Sequence, residues 1–294
     1  MFGETLALLT AVLWSVTSIA FTEASRRIGS LQLNVTRMLF ASIILLIIVF
    51  SFGFSLNINF QQLYFLIVSG FAGLVFGDSF LFKSFQLIGA RLGMLVMALV
   101  PAFSSLLAFL FLGESLSLIT LFGIAVTISG IVIVILERSS NKESILKISK
   151  LGILYGVFGA LGQAAGLILA KFAFQINDIN GFIAAFIRLS SAVVIIFPVV
   201  LLLKRFRNPY YVFKKDTKAF KETLLGTIGG PVLGITFSLI AIANAKIGIA
   251  STLMSTVPII MLPMVKYYYK EKISKLAIAG AFIAVLGIAI LFLV

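Results

Sequence analysis

Residues 73–133 are written twice. Shifted by 157 positions, this stretch meets itself without a gap. Gly73 falls on Gly230, Gly77 on Gly234 and Phe80 on Phe237. Met97, Val100 and Pro101 fall on Met254, Val257 and Pro258. Glu114, Ser117, Gly123 and Gly130 fall on Glu271, Ser274, Gly280 and Gly287. Matches at Gly, Pro and Glu carry geometry, whereas Leu and Ile coincide by chance in any apolar chain. The chain therefore folds as two copies of one unit.

Composition says what solvent the unit is built for. Hydrophobic residues make up 61% of the 294 residues and charged ones 11%; a soluble domain has roughly half and a quarter. A polytopic membrane protein is expected. There is no cysteine and no histidine, which removes disulfides, thiolate or imidazole metal sites and any triad using those side chains. No metal or cofactor is expected, and no phosphate-binding GxxxxGK[ST] loop is present. The net charge of +13 sits in short connections between apolar runs. That pattern sets membrane orientation rather than binding to nucleic acid.

A spanning helix needs about 20 mostly apolar residues. Ten runs qualify, at roughly 3–22, 32–52, 63–84, 90–112, 117–136, 151–173, 181–203, 222–243, 247–268 and 273–293. Backbone groups in lipid must be satisfied within their own segment, so these are helices. The charge-rich segment 137–150 divides five runs from five. The expected units are 1–136 and 151–294, with 137–150 as linker. A second basic segment, 204–221, interleaves aromatics. It either docks on anionic headgroups or is a solvated loop with interfacial rings.

The odd-numbered connections hold nearly all the cations: Arg26, Arg27, Arg91, Arg138, Lys142, Lys147, Lys150, the cluster from Lys204 to Lys221, and Lys270, Lys272 and Lys275. The positive-inside rule puts them in the cytoplasm and both termini outside. With five spans per unit, the units insert in opposite directions, as an inverted repeat around an axis in the membrane plane.

Glycines crowd runs three, six and eight: Gly70, Gly73 and Gly77; Gly152, Gly156, Gly159, Gly162 and Gly166; Gly226, Gly229, Gly230 and Gly234. Small residues let helices approach where lipid gives no hydrophobic drive. They serve tight packing, or sliding contacts around a cavity, or both. Runs five and ten, with Gly123, Gly130, Gly280 and Gly287, either pack inside the bundle or form a dimer face. Pro101 and Pro258 each remove a backbone hydrogen bond inside a run and mark a kink or hinge.

An ionisable side chain at the bilayer centre is costly, so Asp78 in run three must face protein or a wet cavity. Its repeat equivalent is Ile235. Asp78 is a proton or substrate site, or half of a structural ion pair. Lys83, about 140° further round the helix, is not its partner and snorkels instead. Arg37 and Arg188 are repeat-related at a shift of 151. They anchor helix ends and form ion pairs, or face a substrate carboxylate. Trp14 with Ser15 and Ser18, Gln163 at the comparable place in run six, Met94 and Met97 on run four, and Thr252 and Ser255 on run nine sketch the wall of a central pocket. Glu114 and Glu271, each followed by a serine three residues on, are read as turn and capping devices.

The duplication, the ten runs, the FLGESLS turn at 111–117 and its echo YKEKIS at 269–274 give the chain a resemblance to the drug/metabolite transporter superfamily. It is most similar to the ten-helix branch made of two EamA domains. The resemblance covers nearly the whole chain. Pro101 and Arg37 fit the pattern, while Lys270 departs from it where a glycine precedes the Glu. The family implies an all-α membrane protein whose inverted five-helix repeats surround a central cavity, and export of amino acids, other metabolites or drugs across the plasma membrane. A small-molecule substrate, membrane lipids and protons are the expected partners. An enzyme is disfavoured, because Asp78 has no second carboxylate at depth. A reporter fused after Val294 is expected to read extracytoplasmic; a cytoplasmic signal overturns the orientation.

Overall fold

The structure is a computed structural model describing residues 1–55, 57–112, 115, 117–140, 149–245 and 247–291. Glu114, Lys142, Lys147, Lys246 and Val294 lie outside the described residues, as does most of segment 137–150. Among the described residues there are helices and no strands. In chain order they are α1 Phe2–Ile28, α2 Ser30–Ser51, α3 Phe60–Gly70, α4 Asp78–Val96, α5 Val100–Leu112, α6 Leu118–Ser140 and α7 Lys150–Ile176. Then follow α8 Gly181–Leu202, α9 Pro209–Lys215, α10 Thr217–Thr227, α11 Ile235–Asn244, α12 Ile247–Met254, α13 Val257–Tyr268 and α14 Lys275–Leu291.

Seven stretches are long and apolar enough to cross a membrane: Phe2–Ile28, Ser30–Ser51, Phe60–Phe111, Leu118–Glu137, Lys150–Ile176, Gly181–Leu202 and Thr217–Ile242. Phe60–Phe111 counts as one stretch of 52 residues. A straight helix of that length would be about 78 Å, against a hydrocarbon core of about 30 Å. Gly89 breaks it, with φ 82° and ψ 169°, a backbone that only glycine adopts at little cost. Helix starts are capped by nearby polar side chains. Asn59 and Gln62 form a reciprocal capping box at α3, and Ser149, Asn180 and Asp216 cap α7, α8 and α10.

The duplication reappears as irregular backbone. Phe71–Gly77 is a π-helical segment, and so is Ile228–Gly234, 157 positions later. In each, the wide turn hydrogen-bonds five residues back: Asp78 N–H to the Gly73 carbonyl, Ile235 N–H to the Gly230 carbonyl. A tight turn also repeats. Met97–Leu99 is 3₁₀, and the second copy turns through Ser255 and Thr256, whose N–H groups bond three residues back to Thr252 and Leu253. Pro101 and Pro258 follow these turns, in the first turn of α5 and α13. A missing N–H costs nothing there, so each proline starts a helix and fixes the bend before it.

Packing runs through glycine. On α6 and α14, an ideal Cβ at Gly130 would meet the Ala284 N–H and lie 2.6 Å from the Gly280 carbonyl. One at Gly123 would lie 2.9 Å from the Gly287 carbonyl. The last helices of the two copies thus touch backbone to backbone within the chain. The π-helical segment at 71–77 lies on α7, with Gly166 against Gly73 and Gly162 against Gly77. Its counterpart at 228–234 lies on α1, where Thr17, Phe21 and Trp14 fill the notches of Gly229, Gly230 and Gly234.

Gly130→Leu should cost at least about 3 kcal/mol, the upper end of ordinary overpacking. Gly53→Leu should cost only about 1–2 kcal/mol, from its left-handed φ of 62° with open space at its Cβ. Unfolding midpoints in mixed micelles give the comparison, and equal losses would overturn the seam.

Candidate functional site

The site begins on one face of α2. Asn34 and Arg37, three residues apart, are buried, and the Arg37 Nε and Nη2 groups both donate to Asn34 Oδ1, at 3.1 and 3.0 Å. Asn34 Nδ2 donates to the Leu74 carbonyl and to Ser79 Oγ. The π-helical turn alters the regular bonding of this stretch, and side chains reach its carbonyls: Asn34 at Leu74, and Gln163 Nε2 at Gly73, at 3.1 Å. The asparagine braces the arginine and the irregular backbone together.

Asp78 opens α4 directly after that turn. Arg37 Nη2 donates to its Oδ2 in a buried ion pair. Gln163 Nε2 donates to Oδ1 at 2.6 Å. Phe82 and Phe21 shield the guanidinium, with ring centroids 4.7 and 5.6 Å from Cζ. Cation–π attraction of this kind strengthens where water is excluded. Arg37 is the eighth residue of a 22-residue helix, about 10 Å from its start. It is therefore not a helix-end anchor, one of the two roles its sequence position allowed. Arg188 holds the same eighth place in the 22-residue α8 and is equally buried.

Asp78 and Arg37 lie on the wall of a cavity of about 330 Å³. Trp14, Ser18 and Phe21 line it from α1, and Phe82, Met94, Met97 and Pro101 from α4 to α5. Gln163 and Lys171 come from α7, Arg188 from α8, and Ser238, Ser255 and Pro258 from the last third of the chain. Of the residues singled out in the sequence as pocket wall, Ser15 and Thr252 are off it, Ser15 being fully buried in the packing of α1. The backbone tightens at Ser255–Thr256, where the Ser255 N–H bonds the Thr252 carbonyl, and of the two residues Ser255 alone reaches the cavity. The Ser18 hydroxyl donates to the Ser15 carbonyl at 2.8 Å. Trp14 places its indole in the notch of Gly234, where an added Cβ would lie 2.6 Å from Nε1.

Below the cavity, on the end formed by the odd-numbered connections, polar links cross between the two halves of the chain. Tyr269 donates to Glu23 at 2.8 Å, Arg91 to Glu271 at 2.9 Å and Arg27 to Asp216 at 3.1 Å. The Ala219 N–H and Arg27 hold the Asp216 carboxyl below the usual carboxylate range. Glu271 thus has an ion-pair partner in Arg91, and the Ser117 and Ser274 hydroxyls accept the N–H groups of Thr120 and Ala277. Lys83 donates to Gln86 at 2.8 Å.

Sequence reading passed over Asn34, Phe21, Phe82 and Lys171. Asn34 left a trace, because a polar residue one helical turn before a buried arginine shares its face. Phe21 and Phe82 left none among 29 phenylalanines.

Apolar helices around a cavity, with a buried charge cluster on its wall, have the build of a multi-pass membrane protein that moves small solutes. The model of the EamA-like transporter family matches residues 1–136 and 150–293, and the chain belongs to that family. Its substrate is thus a small molecule. A solved structure described only as the crystal structure of a protein is similar in fold, at TM-score 0.67 and 16% identity over 98% of this chain and 95% of the other. No curated protein matches in sequence.

Removing one member of a buried pair strands its partner. Arg37→Leu and Asp78→Leu should each destabilise by about 3–5 kcal/mol, and the double variant by much less than their sum. A double-mutant cycle on micellar unfolding reads the coupling, and additivity would show that the pair is not one unit.

Proposed function

We propose that the chain is a secondary transporter of the plasma membrane, with ten spanning helices in two oppositely inserted five-helix repeats that give a small solute alternating access, and that it works as an exporter. Ten spans follow when Phe60–Phe111 is divided at Gly89 and when α12 with α13, and α14, are each counted as a crossing. Opposite insertion is supported by the reciprocal packing: each copy lays its π-helical segment on the first helix of the other. With the odd connections in the cytoplasm, the links of Glu23, Arg91 and Arg27 close that end. Opening inward has to break them.

One observation carries the mechanism. Asp78 is held by Arg37 from its own copy and by Gln163 from the other. We assign it as the proton site. A proton on the carboxylate removes the charge that binds Arg37 and weakens the acceptor of Gln163. The same event loosens α2 from α4 and one copy from the other. Substrate contacts are assigned to Trp14, Ser18, Met94, Met97, Ser255 and Arg188, and bending to the turns before Pro101 and Pro258. Lipid contacts fall to the apolar outer faces.

In proteoliposomes, a set of labelled metabolites tests uphill movement against an imposed proton gradient. Wild type should accumulate its solute on the acidic side by exchange for protons. Asp78→Asn should lose accumulation and keep downhill exchange. Uphill transport unimpaired by that substitution rules out Asp78 as the coupling group, and downhill flux with no gradient dependence in wild type makes the protein a facilitator.

A further inference from the structure

The duplication placed one arginine per copy beside the cavity and an acid in only one. Arg37 has Asp78. At the position equivalent to Asp78, the second copy has Ile235, which also lines the cavity. Arg188 is 3% exposed, and among the described residues its guanidinium makes no ion pair and donates no hydrogen bond. Its Nε is buried without an acceptor. Its Nη2 lies by Gly73, 3.2 Å from where a Cβ would be, in a notch that only glycine leaves open. Asp78 is within electrostatic range, but Arg37 and Gln163 already occupy its oxygens. One carboxylate does not neutralise two guanidiniums. Lys171, further along the wall, has a partner. Of the three fully buried charges on the wall, Arg37 and Asp78 cancel and that of Arg188 is left over.

A buried, unpaired cation is costly unless something pairs with it. Resting on the transporter reading, we infer that the missing partner is the solute: an organic monoanion, with one carboxylate against Arg188 and an apolar body against Trp14, Met94 and Met97. Arginine suits this task, since its planar fork meets both oxygens of a carboxylate. Among the described residues Asp78 is the one acid on the wall, and it is already engaged, which leaves none for an ammonium group. An amino-acid zwitterion would leave its cation unpaired, and a neutral amide would leave Arg188 unpaired. The selection is for net charge, with the body recognised loosely by flexible thioethers and an indole.

Three probes with one body test this: 3-phenylpropanoate, L-phenylalanine and 3-phenylpropanamide, titrated at pH 8 into the purified full chain by calorimetry and by ligand-linked thermal shift. The acid should bind at least tenfold tighter than either of the others. Arg188→Gln should abolish that preference, and Arg188→Lys should keep part of it. Without ligand, Arg188→Gln should melt no lower than wild type, because it removes an unpaired buried charge. A lower ligand-free melting point would make Arg188 a structural residue and overturn the proposal. Binding of none of the probes, or equal binding of acid and amide, overturns it too. Counterflow in liposomes separates the two readings. Phenylalanine bound and moved without acid binding sinks the anion assignment and leaves the transporter standing. Acid bound through Arg188 but never moved upholds the assignment and sinks transport.

Discussion

Backbone contact at glycine is what the rest of the structure depends on. Lipid tails are as apolar as leucine, so a helix gains nothing from exchanging one for the other. What holds this bundle is dispersion between chains brought closer than side chains normally allow, at Gly123 and Gly130 against Gly287 and Gly280, and at Gly73 and Gly77 against Gly166 and Gly162. The same contacts explain where the cavity lies. Helices clamped this tightly along their glycine faces leave a gap where their other faces splay, and the π-helical turns and the bends before Pro101 and Pro258 widen it.

The two copies repeat backbone more faithfully than side chains. π-helical segments, tight turns and helix-starting prolines recur at one spacing. The residues they present do not. Gly77 meets the backbone of Gly162 and Gln163 where Gly234 meets the Trp14 indole, and Asp78 stands where the second copy has Ile235. The framework tolerates this because its glycines fix the approach of the helices whatever the wall residues are. Chemistry can then diverge in one copy without disturbing the other, and an asymmetric charge pattern sits inside a symmetric frame.

Much of this was legible in the sequence because Gly, Pro and buried charge are expensive to misplace. The duplicated frame, the glycine faces and the charged and kinked positions of the cavity wall follow from such residues, while its apolar lining does not. Three features were not legible, each for a stated reason. No propensity separates a π-helical turn from an α-helical one, so Phe71–Gly77 reads as ordinary helix. Arg37 and Asp78 are 41 residues apart on different helices, so their pairing needs the packing of α2 on α4. The break at Gly89 belongs with these, since a single glycine inside an apolar run is tolerated in many helices.

The charge arrangement also bears on how such a site remains folded while empty. A buried carboxylate with one cation and one amide is a closed system, and Phe21 and Phe82 over Arg37 keep water from opening it. Arg188 has no such closure. Its guanidinium lies against the Gly73 notch, which a larger side chain would fill. On the inference drawn above, a group kept unsatisfied is a place where binding energy is released only when the right charge arrives. Asp78 and Arg188 lie close enough to feel one another, so a change of charge at one alters the other.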